Sequence, residues 1–333
     1  MSNLKSPKKI GVVGVGHLGH KHLKNLLKIE SDACSGFFDI NMDTSKRVAE
    51  ETNREAFTSL DELIRASDAV VVAVPTSDHF VIGKACLEKK KHIFVEKPLC
   101  STLEEADALI ELAASQNRVL QVGHVERLNP AVLTLQEANI PLEPRYIETH
   151  RLAPYRVRGT EVPVVLDLMI HDLDVILSLV NTPVKRISAT GVSIMTDSVD
   201  IANARIWFEN GCVANITSSR VAKDYVRKLR LFERDVYITI DFLQGLTEVY
   251  KVLDADEEDP GALLSAPLER NGRHRKIVYE KPKHQKINAL AVELENFLGA
   301  IKGEVQPIVS GDDGREALRL ALLIQEKIEQ DIG

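Results

Sequence analysis

Along residues 1–123, short apolar runs alternate with stretches whose apolar residues recur every three or four positions. Ile10 to Val15 reads as a buried strand, and His17 to Ile29 follows with Leu18, Leu23, Leu26 and Leu27 at helical spacing. Phe37 and Phe38 carry a second strand that ends at Asp39. Ala69 to Val74 and His92 to Val95 are two more, separated by a helix from about Asp78 to Lys90. Ser101 with Glu104 reads as a capping box for a helix that runs to Ser115, and Val119 to Val122 supplies another strand. Strands separated by helices of this length imply right-handed βαβ crossovers and a parallel sheet.

After Gly123 the period changes. One helix is expected from about Val165 to Val180, and strand-like segments then follow with little helix between them. They run from Arg186 to Ile194, Val199 to Phe208, Cys212 to Ser218, Lys228 to Phe232, Val236 to Phe242 and Leu246 to Val252. Ala202, Ala204, Ile206 and Phe208 alternate with Asn203, Arg205 and Trp207, the period of a sheet with one buried face. Asn210-Gly211 is a hairpin signal. Asp254 to Arg275, rich in acidic residues, Pro and Gly, reads as an exposed loop, and helices over Ile287 to Ile301 and Asp312 to Glu329 close the chain. The expected class is α/β: a parallel-sheet domain over residues 1–123, then an α+β domain over 124–333 on an open, mainly antiparallel sheet. The last two helices are candidates to pack back on the first domain.

Composition narrows the function classes. The 333 residues are 44% hydrophobic and 27% charged with a formal net charge of −7, so nothing invites a nucleic-acid backbone. Met1 to Lys9 is polar and basic with no apolar signal core behind it, and the longest apolar run, Ala69 to Val74, is too short to span a bilayer. Cys34, Cys86, Cys100 and Cys212 lack CxxC spacing, which favours reduced thiols over a disulfide framework or a metal site. A cytoplasmic protein without a membrane or nucleic-acid partner is expected.

Gly14-Val15-Gly16-His17-Leu18-Gly19 fits G-x-G-x-x-G between an apolar strand and an amphipathic helix, the context of a Rossmann dinucleotide site. Gly14 permits the tight turn, Gly16 lets a pyrophosphate approach the backbone, and Gly19 lets helix and strand pack closely. The helix N-terminus, with His17 and Leu18 in its first turn, offers free N–H groups to that pyrophosphate. Asp39 stands where a carboxylate accepts hydrogen bonds from the adenosine ribose and repels a 2′-phosphate. NAD is therefore expected rather than NADP.

Glu96-Lys97-Pro98 ends a strand at the sheet edge where ligands bind, so Lys97 is a candidate donor to a substrate oxygen. Asp167 and His171 are spaced i, i+4 and share a helical face, and a His tuned by a carboxylate is a competent proton shuttle. The bland alternatives are a solvated strand-end lysine, a helix-capping Asp167 and a satisfied buried His171.

Taken together, these motifs resemble the Gfo/Idh/MocA family, the oxidoreductases grouped with glucose–fructose oxidoreductase and inositol dehydrogenase. The resemblance covers essentially the whole chain: the glycine motif, Val74-Pro75-Thr76 with His79, Glu96-Lys97-Pro98, Asp167-x-x-x-His171 and Asn210-Gly211. It implies that Lys97 and His171 are the catalytic pair with Asp167 in their network. It also implies that Pro75, Thr76 and His79 line the cofactor crevice beside Glu96, and that the bond before Pro98 is cis. Arg127 matches the family's basic position near substrate and nicotinamide. Many relatives carry Asn where this chain has Glu126, which puts those substrate contacts in doubt unless Glu126 simply pairs with Arg127.

The expected reaction is reversible oxidation of a secondary sugar alcohol. Arg151, Arg156 and Arg158, with Tyr155 among them, form a basic stretch ahead of the catalytic helix, suited either to a diphosphate or to local acids. The Asp-Leu-Met-Ile-His-Asp-Leu-Asp run resembles the branch that oxidises C3 of UDP-N-acetylglucosamine-type sugars, so a nucleotide-linked sugar is expected. A free sugar or inositol dehydrogenase is the first alternative. A non-catalytic NAD-binding sensor is the alternative of another class, and a proton-shuttle pair argues against it. By resemblance, the free face of the later sheet, including Val199 to Ser218, would form a homodimer or homotetramer.

Overall fold

The structure is a computed structural model that describes residues 8–137, 142–155, 162–270, 272–283 and 287–332. The chain forms two compact units, Met1–Val125 with Asn288–Leu318, and Glu126–Ile287 with Arg319–Gly333.

In chain order the first unit begins with β1 (Ile10–Val13), α1 (His17–Ile29), β2 (Cys34–Phe38), α2 (Met42–Thr52), α3 (Leu60–Ala66) and β3 (Ala69–Val72). It continues with α4 (Thr76–Glu88), β4 (His92–Glu96), α5 (Leu103–Ser115) and β5 (Leu120–Gly123). The second unit holds α6 (Pro130–Glu137), β6 (Tyr146–Leu152), α7 (Ile170–Val180), β7 (Val184–Val192), β8 (Ile201–Phe208) and β9 (Val213–Ser219). Strands β10 (Val226–Glu233), β11 (Val236–Asp241), β12 (Leu246–Asp254), β13 (Leu264–Arg270) and β14 (Arg273–Glu280) follow. Two helices, α8 (Ala289–Lys302) and α9 (Gly311–Ile332), end the chain.

The first unit is a parallel sheet in the order β2-β1-β3-β4-β5. Every residue of β1, β3 and β4 is buried, as strands covered on both faces must be. The strand order reverses beside β1, which opens a crevice at the carboxyl ends of β1 and β3. Leu294, Phe297, Leu298 and Ile301 of α8 share one buried cluster with Leu23, Leu26, Phe37 and Phe94, so this late helix completes the first unit's core. The cap of α5 lies one residue later than its sequence suggests. Thr102, not Ser101, accepts from the Glu105 N–H, and the Glu105 carboxylate accepts from the Thr102 N–H.

The second unit is a sheet in the order β13-β14-β12-β11-β10-β6-β9-β8-β7, antiparallel throughout except for the parallel pair β6/β9. Ala202, Ala204, Ile206 and Phe208 point into the core, and Gly211, with φ of 87°, turns β8 into β9. The expected loop over residues 254–275 is corrected: β13 and the start of β14 lie within it. Pro267 and the polar residues around it hid a strand at the sheet edge, where the missing N–H of a proline is tolerated. The expected helix from Val165 opens as a π turn, Val165–Met169, before α7. Asp167 lies inside that wider turn, four residues ahead of His171.

Candidate active site

The loop between β1 and α1 is shaped by three glycines with different duties. Gly14 sits at φ +78°, and its N–H donates to the Phe38 carbonyl at 2.8 Å. A Cβ on Gly19 would lie 1.8 Å from the Gly14 carbonyl oxygen, so only glycine lets α1 pack on the loop. A Cβ on Gly16 would meet nothing within 4 Å. The helix that begins there has no side-chain cap and no acidic residue in its first turn, where His17 is exposed and Leu18 half-buried. Open space in front of uncapped N–H groups fits a phosphate cradle.

Asp39 closes the other side. Its carboxylate accepts the Val15 N–H and the Asn41 N–H, each at 2.8 Å, which fixes it at the end of β2 beside the glycine loop. Gly14, Gly16, Asp39 and Pro75 line a cleft of about 430 Å³ with Ile40, Leu60, Val81 and Ile82. Ile40 and Val81 are 91% and 65% exposed, unusual for large apolar residues and suited to the faces of an adenine ring. The charged residues lining the cleft are Asp39 and Asp78. Thr76 opens α4 at the cleft's edge and is half-buried.

Glu96 and His79, expected in the crevice lining, are both buried, and each makes protein contacts. Glu96 accepts from His22 Nε2 at 2.5 Å and from the Lys97 N–H at 3.2 Å. His79 presents Nδ1 to the Pro98 carbonyl at 2.9 Å and Nε2 to the Val74 carbonyl at 3.0 Å. Burial pulls its pKa down, against the two carbonyls that favour protonation. The Lys97–Pro98 bond is cis and Lys97 itself is half-buried.

In the second unit, His171 is half-buried on the first turn of α7, and Met169, Ile170 and Leu173 around it are fully buried. The residues that follow it are tied down by arginines. Arg127 forks onto Asp174, with Nε and one terminal nitrogen at 2.9 and 2.8 Å from the two carboxylate oxygens. Arg151 forks onto Asp172 at 3.0 and 2.9 Å and gives its third nitrogen to Glu126 at 2.9 Å. Glu126 also accepts from Asn129 Nδ2 at 3.0 Å and lies 3.6 Å from Arg227.

Glu126 pairs with Arg151 on β6. One expectation is corrected here. Arg151, 2% exposed and engaged at Nε and both terminal nitrogens, is a buried strut of β6 rather than a diphosphate ligand. Burial works against the Arg151 charge, but Asp172 and Glu126 hold its pKa above the ordinary value; burial pushes the Asp172 carboxyl up. Tyr155 is exposed, and Arg156 and Arg158 lie outside the described residues. Sequence motifs did not single out His22, Asp172 and Asp174. Their signal was a titratable residue on an otherwise apolar helix face, which demands a buried partner without naming it.

The oxidoreductase family with an NAD-binding Rossmann fold, Gfo/Idh/MocA, matches residues 8–124. The C-terminal domain of the same family matches residues 148–238. The chain belongs to the Gfo/Idh/MocA oxidoreductase family. UDP-N-acetylglucosamine 3-dehydrogenase from Acidithiobacillus ferrooxidans is 37% identical over 96% of this chain and 97% of its own length. The solved structure of an enzyme of that name and source superposes with a TM-score of 0.87, covering 97% of this chain and 98% of that one at 36% identity. Myo-inositol 2-dehydrogenase from Thermotoga maritima is 28% identical over 97% of this chain and 96% of its length. As a Gfo/Idh/MocA protein the chain is an oxidoreductase with an NAD-binding Rossmann unit, the fold class expected from its sequence. No helix among the described residues is long and apolar enough to cross a membrane.

Proposed function

We propose that this chain is an NAD-dependent dehydrogenase that oxidises the C3 hydroxyl of a UDP-N-acetylglucosamine-type sugar. The observation that carries the reading is the near full-length similarity to the Acidithiobacillus ferrooxidans UDP-N-acetylglucosamine 3-dehydrogenase. Gly14, Gly16 and the start of α1 would hold the pyrophosphate, Asp39 the adenosine ribose, and Ile40 with Val81 the adenine. When bound, the nicotinamide accepts the hydride that leaves the sugar carbon. His171 takes the hydroxyl proton, with Asp167 in its network, and Lys97 donates a hydrogen bond to the same oxygen as negative charge develops on it. Arg127, with its fork committed to Asp174, holds α7 in place under His171. Tyr155, Arg156 and Arg158 remain the candidates for the diphosphate side of the substrate.

The test is a panel of UDP-sugars, free sugars and cyclitols with NAD, read by NADH absorbance. Turnover on UDP-N-acetylglucosamine above the rest is expected. Preference for a cyclitol would move the assignment to the inositol dehydrogenases, the reading that the Thermotoga maritima relative favours.

The cofactor itself is NAD rather than NADP. A fixed carboxylate at Asp39, and a cleft whose charged lining residues are both acidic, disfavour a 2′-phosphate. Asp39→Asn is expected to lower the NAD-over-NADP ratio of kcat/KM by about tenfold or more, since one unit of charge removed at hydrogen-bond range is worth more than 1.4 kcal/mol in a shielded site. An unchanged ratio would remove Asp39 from the discrimination.

The enzyme acts as a homodimer or homotetramer through the open face of the second unit's sheet. Tyr146, Phe232, Tyr237, Tyr250 and Tyr279 stand in register across β6, β10, β11, β12 and β14, with neighbouring ring centroids 5.8, 4.9, 5.5 and 5.0 Å apart. A half-exposed aromatic row of this length suits burial against a second copy. Light scattering is expected to give an oligomer for the native chain and a folded monomer for Tyr237→Asp/Tyr250→Asp; a native monomer at micromolar concentration contradicts it. Four free, buried cysteines suit a reducing, cytoplasmic setting.

A further inference from the structure

Within the first unit, two buried histidines grip the residues on either side of Lys97. On α1, His22 is fully buried, its ring edge-on to Phe94 at 5.2 Å, and its Nε2 donates to Glu96 Oε1 at 2.5 Å. The second oxygen of that carboxylate accepts the Lys97 N–H at 3.2 Å. A Cβ on Gly123 would fall 2.8 Å from Glu96 Oε2, so the carboxylate fills space that only a glycine at this point of β5 leaves open. On α4, His79 is 1% exposed and spans the Pro98 and Val74 carbonyls at 2.9 and 3.0 Å. Glu96 and Pro98 are the immediate neighbours of Lys97. The helices that supply the histidines begin at Gly16 and at Pro75-Thr76, and Gly16 and Pro75 line the cofactor cleft.

We propose that His22 and His79 are positioning residues for Lys97, clamping the tripeptide from both sides and tying it to the two helix starts that border the cofactor cleft. The inference rests on the reading of Lys97 as catalytic. Its physical basis is alignment: a donor displaced by about 1 Å from a developing oxyanion loses roughly 100-fold in rate, while ground-state binding suffers far less. A backbone held only by its strand end has that freedom. One held through a buried carboxylate and a bridged carbonyl does not.

The full-length enzyme carries the test, with His22→Ala, His22→Gln, His79→Ala and Glu96→Gln compared with the native chain. His22→Ala and His79→Ala are expected to lower kcat by about 10- to 100-fold, with KM for the UDP-sugar and the NADH dissociation constant within about threefold. His22→Gln restores an N–H to Glu96 and is expected to recover kcat to within about threefold of native. A readout free of turnover is the histidine ring signal in nitrogen-15-labelled protein. His22 should carry its proton on Nε2, far downfield, and the signal should move upfield in Glu96→Gln as the acceptor loses its charge.

Native kcat in both alanine variants, His22→Gln as slow as His22→Ala, or a His22 signal indifferent to Glu96→Gln would each overturn the clamp. Failure of the underlying reading is separate: an active Lys97→Ala with the expected ring signals removes Lys97 from catalysis and leaves the contacts standing. An inactive Lys97→Ala with fast His22→Ala and His79→Ala sinks the clamp alone.

Discussion

Replacing Lys97 with Ala is expected to lower kcat by about 10³- to 10⁴-fold while NADH binding changes by less than about threefold. A single preorganised donor to a developing oxyanion is worth roughly 100- to 1,000-fold. Lys97 brings a full charge as well, and a half-buried setting screens that charge less than bulk water does. On the proposed reading the cofactor is held by other residues, Gly14, Gly16 and Asp39, which line the cleft, so binding and turnover should separate. His171→Ala should fall by about 10²- to 10⁴-fold, the usual weight of a proton shuttle, and part of the loss should return with added imidazole. The measurement is steady-state NADH formation beside a fluorescence titration of NADH. A Lys97→Ala enzyme with near-native turnover would return the chain to a cofactor-binding role without this chemistry.

Arg151→Ala is expected to cost the second unit about 3–5 kcal/mol of stability. The guanidinium is 2% exposed and pairs with both Asp172 and Glu126, themselves 2% and 7% exposed. Removing it strips the fork from buried Asp172 and the 2.9 Å contact from Glu126, the arrangement in which breaking a buried pair costs most. Lysine should not rescue it, because a single ammonium cannot fork onto Asp172 and reach Glu126 together. Calorimetry should show a fall in Tm of roughly 10 °C or more. Activity should drop with it, since Asp172 adjoins His171 on α7. An unchanged Tm with a raised KM for a UDP-sugar would restore Arg151 to the substrate side.

That arginine also marks the limit of reading a chain from its residues. Tripled with Arg156 and Arg158 it looks like a basic loop, because sequence shows charge density but not the direction in which each side chain points. In β6 the alternation of the strand turns Arg151 inward and its neighbours His150 and Leu152 outward. Only the fold then brings Asp172 and Glu126 to the same point. The π turn at Val165–Met169 was equally hidden, since its residues fit an ordinary helix and the extra residue per turn is set by packing.

What the sequence determined by itself were the local features: the parallel βαβ order, the glycine turn with Asp39 behind it, the Glu96-Lys97-Pro98 strand end and the Asn210-Gly211 hairpin. Each follows from short-range sterics or from the period of apolar residues, which are properties of neighbouring positions. Tertiary structure decided what depends on charges meeting from distant segments. His22 found Glu96, Arg127 found Asp174, Arg151 found Asp172 and Glu126, and α8 joined the core of the first unit. A buried charge requires a partner but does not specify which, and only the packing of the elements selects it.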